Sequence, residues 1–203
     1  LTMSGTTVPS WLTFTASTGV LTGTPTNDNV GTTGNAVVLT ITDAAGESVT
    51  DSFTITVANT NDAPSFSSSP VLTAQEDDVY TYTAVGTDMD AGDTFTLGSS
   101  SVPSWLTFTA STGVLTGTPT NSDVGGHSVT LTVTDAAGAT GTQTFTITVS
   151  NANDAPTVTS TAVTSATEDS VYTYTLTVSD ADVGDTLTMA GTTVPSWLTF
   201  TAS

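Results

Sequence analysis

Residues 129–134 alternate apolar and hydroxyl side chains, Val129-Thr-Leu131-Thr-Val133-Thr, and Thr144-Phe145-Thr-Ile147-Thr-Val149 does the same. A period of two puts the apolar members on one face of a strand and Thr on the other. Between the two runs, Thr134-Asp135-Ala-Ala-Gly138 supplies a Gly-containing turn, so the pattern predicts a β-hairpin. Trp105-Leu-Thr-Phe108 and Val114-Leu-Thr116 predict a second strand pair around the turn Ser111-Thr-Gly113. Tyr172, Tyr174, Leu176 and Val178 fall on one face of another predicted strand, whereas the stretch after Tyr80 reaches Ala84 and Gly86 and reads less cleanly. No segment carries a helical period. Many short strands with Gly and Pro turns predict an all-β chain of Greek-key sandwiches.

These strands recur. Pro9-Ser-Trp-Leu-Thr-Phe-Thr-Ala16 returns at 103–110 and at 195–202, and Asn59-Thr-Asn61-Asp62-Ala-Pro64 returns as Asn151-Ala-Asn153-Asp154-Ala-Pro156. Such self-similarity marks a tandem array. The period assigns residues 1–60 to the C-terminal part of a first repeat, 61–152 to a complete second repeat, and 153–203 to the N-terminal part of a third. The two hexapeptides are then joints. Residues 1–17 closely match 187–203, so a window cut from a longer repetitive polypeptide is expected. The alternative is strand exchange, in which the head half of one copy completes the tail half of another to build a filament.

Charge narrows the partners. The 203 residues carry 19 acidic side chains, one His and no Lys, Arg or Cys, for a net charge of −19. Nucleic acid and anionic membranes both need basic side chains to displace counterions, so neither is expected as a partner. No apolar run is long enough for a membrane-spanning helix, so membrane insertion is not expected. Without Cys there is neither a disulfide nor a thiolate zinc site. Only 9% of residues are charged and mean hydropathy is +0.13, so the polarity comes mainly from Thr, Ser, Asn and Gly. Thr suits the solvent face of a strand.

The acids are clustered. Glu76-Asp77 matches Glu168-Asp169; Asp88, Asp90 and Asp93 match Asp180, Asp182 and Asp185; Asp62 matches Asp154, and Asp43 matches Asp135. With no cationic side chain to pair with, grouped carboxylates repel by roughly 1 kcal/mol per pair at ~4 Å in water. Asp88-Met-Asp90-Ala-Gly-Asp93 is a D-x-D-x-G-D run whose carboxylates can converge on one ion. Calcium takes six to eight oxygen ligands in flexible geometry, whereas magnesium keeps more of its water and softer metals need His or Cys. The run lacks the Glu at the twelfth position of an EF-hand loop and follows a strand, which rejects that motif.

The joint Asn151-Ala-Asn153-Asp154-Ala-Pro156, the Glu of Thr167-Glu168-Asp169 and the D-x-D of Asp180-Ala-Asp182 resemble cadherin-type calcium motifs. The Pro-Ser-Trp-Leu-Thr-Phe and Thr-Gly-Val-Leu-Thr-Gly-Thr-Pro segments are similar to bacterial dystroglycan-type cadherin-like and Ig-like repeats of large surface adhesins. The resemblance implies Ca2+ at the junctions, held from both sides. At 151–155 it implies Glu76 and Asp123 from above, Asn151, Asn153 and Asp154 from the linker, and Asp180, Asp182 and Asp185 from below. At 59–63 it implies Asn59, Asn61, Asp62, Asp88, Asp90 and Asp93. The cadherin Asp-Arg-Glu motif is replaced by Asn121-Ser-Asp123, and by Asn27-Asp28-Asn29 in the first repeat, which leaves the number of ions per joint open.

Asp43 and Asp135 sit in hairpin turns and are expected to serve the turn. Trp11, Trp105 and Trp197 stand beside Leu and Phe and are expected in the core rather than as a sugar-stacking platform. Outward Thr is expected on ordinary strands, not as an ice-binding face. His127 occurs once, with no recurring Ser-His-Asp arrangement, so no enzyme is expected. The function that follows is a calcium-rigidified structural segment of an extracellular or secreted adhesin or fibre. Its partners are neighbouring repeats, other copies in a fibre and an unknown adhesion ligand. The alternative is a glycan- or protein-binding module on the same fold.

Overall fold

The computed structural model describes residues 1–201. In the first part β1 (Thr2–Thr7), β4 (Ala36–Thr42) and β5 (Ser48–Thr54) form one antiparallel sheet, while β2 (Leu12–Thr15) and β3 (Val20–Gly23) pair separately. The middle part contains β6 (Ser65–Phe66), β7 (Thr73–Gln75), β8 (Tyr80–Thr83), β9 (Gly86–Thr87), β10 (Phe95–Ser101), β11 (Leu106–Thr109), β12 (Val114–Gly117), β13 (Gly125–Asp135) and β14 (Thr140–Ser150). The last part holds β15 (Thr157–Val158) and β16 (Val178–Ser179). Among the described residues the helical content is two single 3-10 turns, Asn27–Asn29 and Asn121–Asp123, where the sequence pattern predicts no helix.

The middle part is a two-sheet Greek-key sandwich. One sheet runs β10-β13-β14-β7 and the other β11-β12-β8, while β6 pairs with β9, the continuation of β8 beyond Ala84 and Val85. Ala84 and Gly86, where the alternation falters, mark this break. The predicted hairpin is β13–β14, longer than the alternating runs, and pairs in register from Gly125↔Val149 to Thr134↔Thr140. The Ser111–Gly113 turn closes β11 against β12, with Gly113 in the left-handed region at φ 70°. The hydrophobic core lies between the sheets: Val129, Leu131, Phe145 and Ile147 from the hairpin meet Tyr80, Tyr82, Leu106 and Leu115. Full burial of one such aliphatic side chain contributes about 1.5–3 kcal/mol. Tyr82 stacks edge-on to Phe145 at 5.8 Å and places its hydroxyl 2.8 Å from Gln143 Oε1.

The predicted strand across Tyr172–Val178 forms only at Val178–Ser179. In the middle part the equivalent stretch Tyr80–Thr83 pairs with Val114–Gly117. In the first part Val49 and Phe53 are exposed, although Phe145, the equivalent of Phe53, is buried.

Candidate metal centres at the two joints

Strand geometry delivers acids to both ends of the middle sandwich. β7 runs parallel to β14, with Gln75 opposite Ser150, and the Glu76 amide donates to the Ser150 carbonyl at 3.0 Å. That pairing carries Glu76 to the edge where Asn151 begins. Along β7 Ala74 and Glu76 share the inward side, so the carboxylate turns into the joint and is only 1% exposed. Asp77 follows in the left-handed region at φ 63°, an uncommon conformation for a residue with a side chain, and its amide donates to the Pro119 carbonyl at 2.9 Å. Carboxylate oxygens of Glu76, Asp77 and Asp154 lie within 4.8 Å of one another.

At the other end, the pairing of Phe95 with Asp135 sets Asp93 beside Asp135, and oxygens of Asp88, Asp93 and Asp135 lie within 4.8 Å of one another. Asp180, Asp182 and Asp185 converge in the same way past the second joint. Three charges at such separations repel by about 0.9 kcal/mol per pair even in water. Both D-x-D runs are shaped alike. The Asp90 amide donates to Asp88 Oδ1 at 2.9 Å and the Asp182 amide to Asp180 Oδ1 at 3.0 Å. Gly92 and Gly184 follow at φ 90° and 99°, and turn the chain back so that Asp93 and Asp185 return to the cluster.

The linkers are tied to these runs by matching bonds. The Asp62 amide donates to Asp90 Oδ2 and the Asp154 amide to Asp182 Oδ2, each at 2.7 Å. Asn61 Nδ2 donates to Asp135 Oδ2 at 2.8 Å, while Asn153 Nδ2 donates to the Asp154 carbonyl at 2.8 Å. Asn59 and Asn151 are exposed on the linkers. Asp123 is not drawn into a cluster. Its Oδ2 accepts from the Thr120 amide at 2.9 Å and the Thr120 hydroxyl at 2.8 Å, bonds that hold its carboxyl below the usual range.

Asp135 belongs to the first joint as well as to its turn. It is buried, and the Asn61 amide leads the causes that hold its carboxyl below the usual carboxylate range, with burial opposing and the Ala139 amide helping. Glu76 moves the other way. Burial pushes its carboxyl up; the Ala152 backbone amide, near it but making no hydrogen bond to it, offsets part of the rise, and the nearby Asp154, Asp182 and Asp77 charges add to it. Among the described residues, five buried side-chain polar atoms lack a hydrogen-bond partner. Four are carboxylate oxygens at the joints: both of Glu76, Oδ2 of Asp88 and Oδ1 of Asp90. Buried polar groups are normally satisfied, and a positive partner would satisfy these oxygens. A hard cation with several oxygen ligands fits this donor set.

The tryptophans offer no shared platform. Trp105 packs against the core and Trp11 donates to Asn35 Oδ1 at 2.9 Å, whereas Trp197 is 66% exposed beside the unformed strand at Tyr172.

Sandwich topology and acid-lined joints define a tandem array of cadherin-like, Ig-like repeats. The profile of the family described as "Putative Ig domain" matches residues 1–58, 63–150 and 155–203, and the chain belongs to that family. The "Serine-rich adhesin for platelets" of Staphylococcus aureus is 33% identical over 144 residues, 68% of this chain and 6% of that protein, so the chain spans a small part of the relative it matches. Among solved structures, the protocadherin gamma B7 extracellular cadherin domains 1–4 superpose with a TM-score of 0.53 at 18% identity, covering 90% of this chain and 50% of that one. Drosophila N-cadherin EC1-4 gives 0.51 at 14% identity, covering 77% and 43%. The resemblance to bacterial cadherin-like, Ig-like repeats is borne out, as is the sandwich fold.

Proposed function

We propose that this chain is a structural segment of an extracellular adhesin, in which Ca2+ stiffens the joints at 59–64 and 151–156 between successive repeats. The repeats are 1–60, 61–152 and 153–203, the first and last incomplete within this sequence. The observation that carries the reading is the set of four buried, unpartnered carboxylate oxygens on Glu76, Asp88 and Asp90. In a chain without Lys or Arg, a bound cation is the available partner. Glu76, Asp77, Asp154, Asp180, Asp182 and Asp185 would hold it at the second joint, with Asn151 and Asn153 beside them. Asp88, Asp90, Asp93 and Asp135 would hold it at the first, with Asn59, Asn61 and Asp62. Bound calcium cancels the repulsion among these groups and ties the linker to the sandwiches on either side. Asp123, spent on its own turn, serves the loop rather than the ion. Adhesion is supported by the S. aureus relative, and an extracellular setting by that relative and the cadherin-like fold. The same resemblances support a non-enzymatic role, with neighbouring repeats as the first partners.

The test is calorimetry and small-angle scattering of the 203-residue chain in chelator, in calcium and in magnesium. A ligand at ~100 times its Kd stabilises by about 2.7 kcal/mol. For a single repeat of roughly 90 residues unfolding on its own, that raises Tm by roughly 11–22 °C. Calcium should produce a rise of that order and a narrower distribution of interdomain angles, with magnesium less effective. Identical melting and scattering in chelator and in calcium would refute the proposal.

A further inference from the structure

Both joints contain a contact that needs no ion. Asn27 and Asn121 open the two 3-10 turns, and in each turn the third residue is spent internally: Asn29 Oδ1 takes the Thr26 amide at 2.8 Å as Asp123 Oδ2 takes the Thr120 amide at 2.9 Å. A neutral amide and a carboxylate do this equally well, so the third position needs no charge. The first residue is different. It is half-buried in both turns and reaches across the joint. Asn27 Nδ2 donates to Asp62 Oδ2 at 2.7 Å, and Asn121 Nδ2 donates to Asp182 Oδ1 at 3.2 Å.

The acceptors are already engaged from the other direction. Asp182 takes the linker amide of Asp154 on Oδ2 and the Asn121 side chain on Oδ1, so linker, upstream turn and downstream D-x-D run meet on one carboxylate. At the first joint the chain of contacts is Asn27 to Asp62 and the Asp62 amide to Asp90. Hydrogen bonds to charged acceptors are the stronger kind. With no Lys or Arg in the sequence, an amide side chain is a donor this protein can supply without adding negative charge. A carboxylate at 27 or 121 would instead face Asp62 or Asp182 with like charge.

We propose that Asn27 and Asn121 are metal-independent latches: positioning residues that donate across each joint to Asp62 and Asp182 and hold successive repeats partly aligned before any cation binds. The proposal rests on reading 59–64 and 151–156 as joints between repeats, and not on their calcium affinity. It divides the stiffness of each joint into a share that chelation removes and a share that it leaves.

The test uses the 203-residue chain as wild type, Asn27→Ala, Asn121→Ala and Asn121→Asp, with Ser122→Ala as a neighbouring exposed control. Scattering in excess chelator reads interdomain freedom, calcium titration calorimetry reads affinity, and the hairpin's melting reports folding. Either alanine variant should widen the interdomain distribution in chelator while changing calcium Kd by less than threefold. Asn121→Asp should widen it further in chelator and recover wild-type scattering in calcium. The latch is overturned if both alanine variants scatter like wild type in chelator. It is equally overturned if Asn121→Ala weakens calcium tenfold or more with unchanged chelator scattering, because Asn121 would then be a ligand through Oδ1. Should one variant misfold, the other joint supplies an independent reading. Failure of all variants, wild type included, to bind calcium would overturn the proposed function and leave the latch standing on the chelator data.

Discussion

His127 and Asn35 occupy the same place in successive repeats, and the structure makes them a natural experiment. Asn35 Oδ1 accepts from Trp11 Nε1 at 2.9 Å, and its Nδ2 donates to the Asn29 and Gly31 carbonyls at 2.7 and 3.1 Å. His127 Nε2 meets the equivalent carbonyl, that of Asp123, at 2.6 Å. Its ring, however, sits edge-on to Trp105 at 5.7 Å and leaves the Trp105 indole N–H buried without an acceptor. His127→Asn should restore the bond. A buried, unsatisfied donor costs about 1–3 kcal/mol. Losing the edge-to-face pair gives back about 0.5–1.5 kcal/mol. The expected net gain is about 1 kcal/mol, or roughly 4–8 °C in Tm for a domain of this size. Urea or thermal unfolding in excess chelator, with the middle repeat followed through Trp105 fluorescence, reads it without interference from metal. Equal or lower stability of His127→Asn would refute the reasoning. So would an equal gain from His127→Ala, which supplies no acceptor. The first repeat's loop is two residues longer between Gly31 and Asn35, and Asn35→His there should lose about the amount gained at 127.

Further outcomes follow from the joints. Glu76→Gln should raise Tm in chelator, where it removes a buried charge, and shrink the rise caused by calcium; a fall in chelator would contradict the burial argument. Because the folded Glu76 carboxyl is raised, its contribution to metal-free stability is full below its ordinary value and is lost as pH rises through the folded value, and Glu76→Gln should abolish that loss. Asp135 works in the opposite sense: its contribution is present above its ordinary value and lost as pH falls through its depressed one. Asn61→Ala should therefore flatten the acid limb of the stability curve, and an unchanged limb would remove Asn61 as the cause. A Cβ at Gly141 would overlap the Pro64 carbonyl oxygen, so Gly141→Ala should unseat the first linker and cost about 1–3 kcal/mol in unfolding experiments.

Most of the sandwich was legible because its alternation is strict. Val129, Leu131, Val133, Phe145, Ile147 and Val149 all face inward, as a period of two requires. The Tyr172–Val178 pattern was equally clean and yet forms strand only at Val178–Ser179, because alternation reports which face is apolar and not where a ladder forms. The joint acids were visible as a repeated constellation, but three assignments, those of Asp135, Asp123 and Asp77, needed the fold. Asp135 looked like a turn residue; the signal that could have marked it is parity, since it continues the inward series Val129, Leu131, Val133. Glu76 follows Ala74 by the same rule. Asp123 stood at the expected interval yet caps its own turn, as Thr120 three residues before it could have suggested. Asp77 recurs as Asp169, but adjacency to Glu76 alone would put it on the opposite face of an extended chain; it reaches the cluster through its left-handed backbone.

The parallel pairing of β7 with β14 bears on what happens when the chain is pulled. Tension enters the middle repeat at Pro64 and leaves at Ser150, so the two neighbouring strands are dragged in opposite directions along their length. Thr73, Ala74 and Gln75 lie opposite Thr148, Val149 and Ser150, flanked by the bonds from Thr148 to Leu72 and from Glu76 to Ser150. Loaded this way, the bonds share a shearing force and must break together instead of opening one after another from an end. The segment that delivers Glu76 to the joint is thus also a clamp, and yielding there would carry Glu76 away from Asp154.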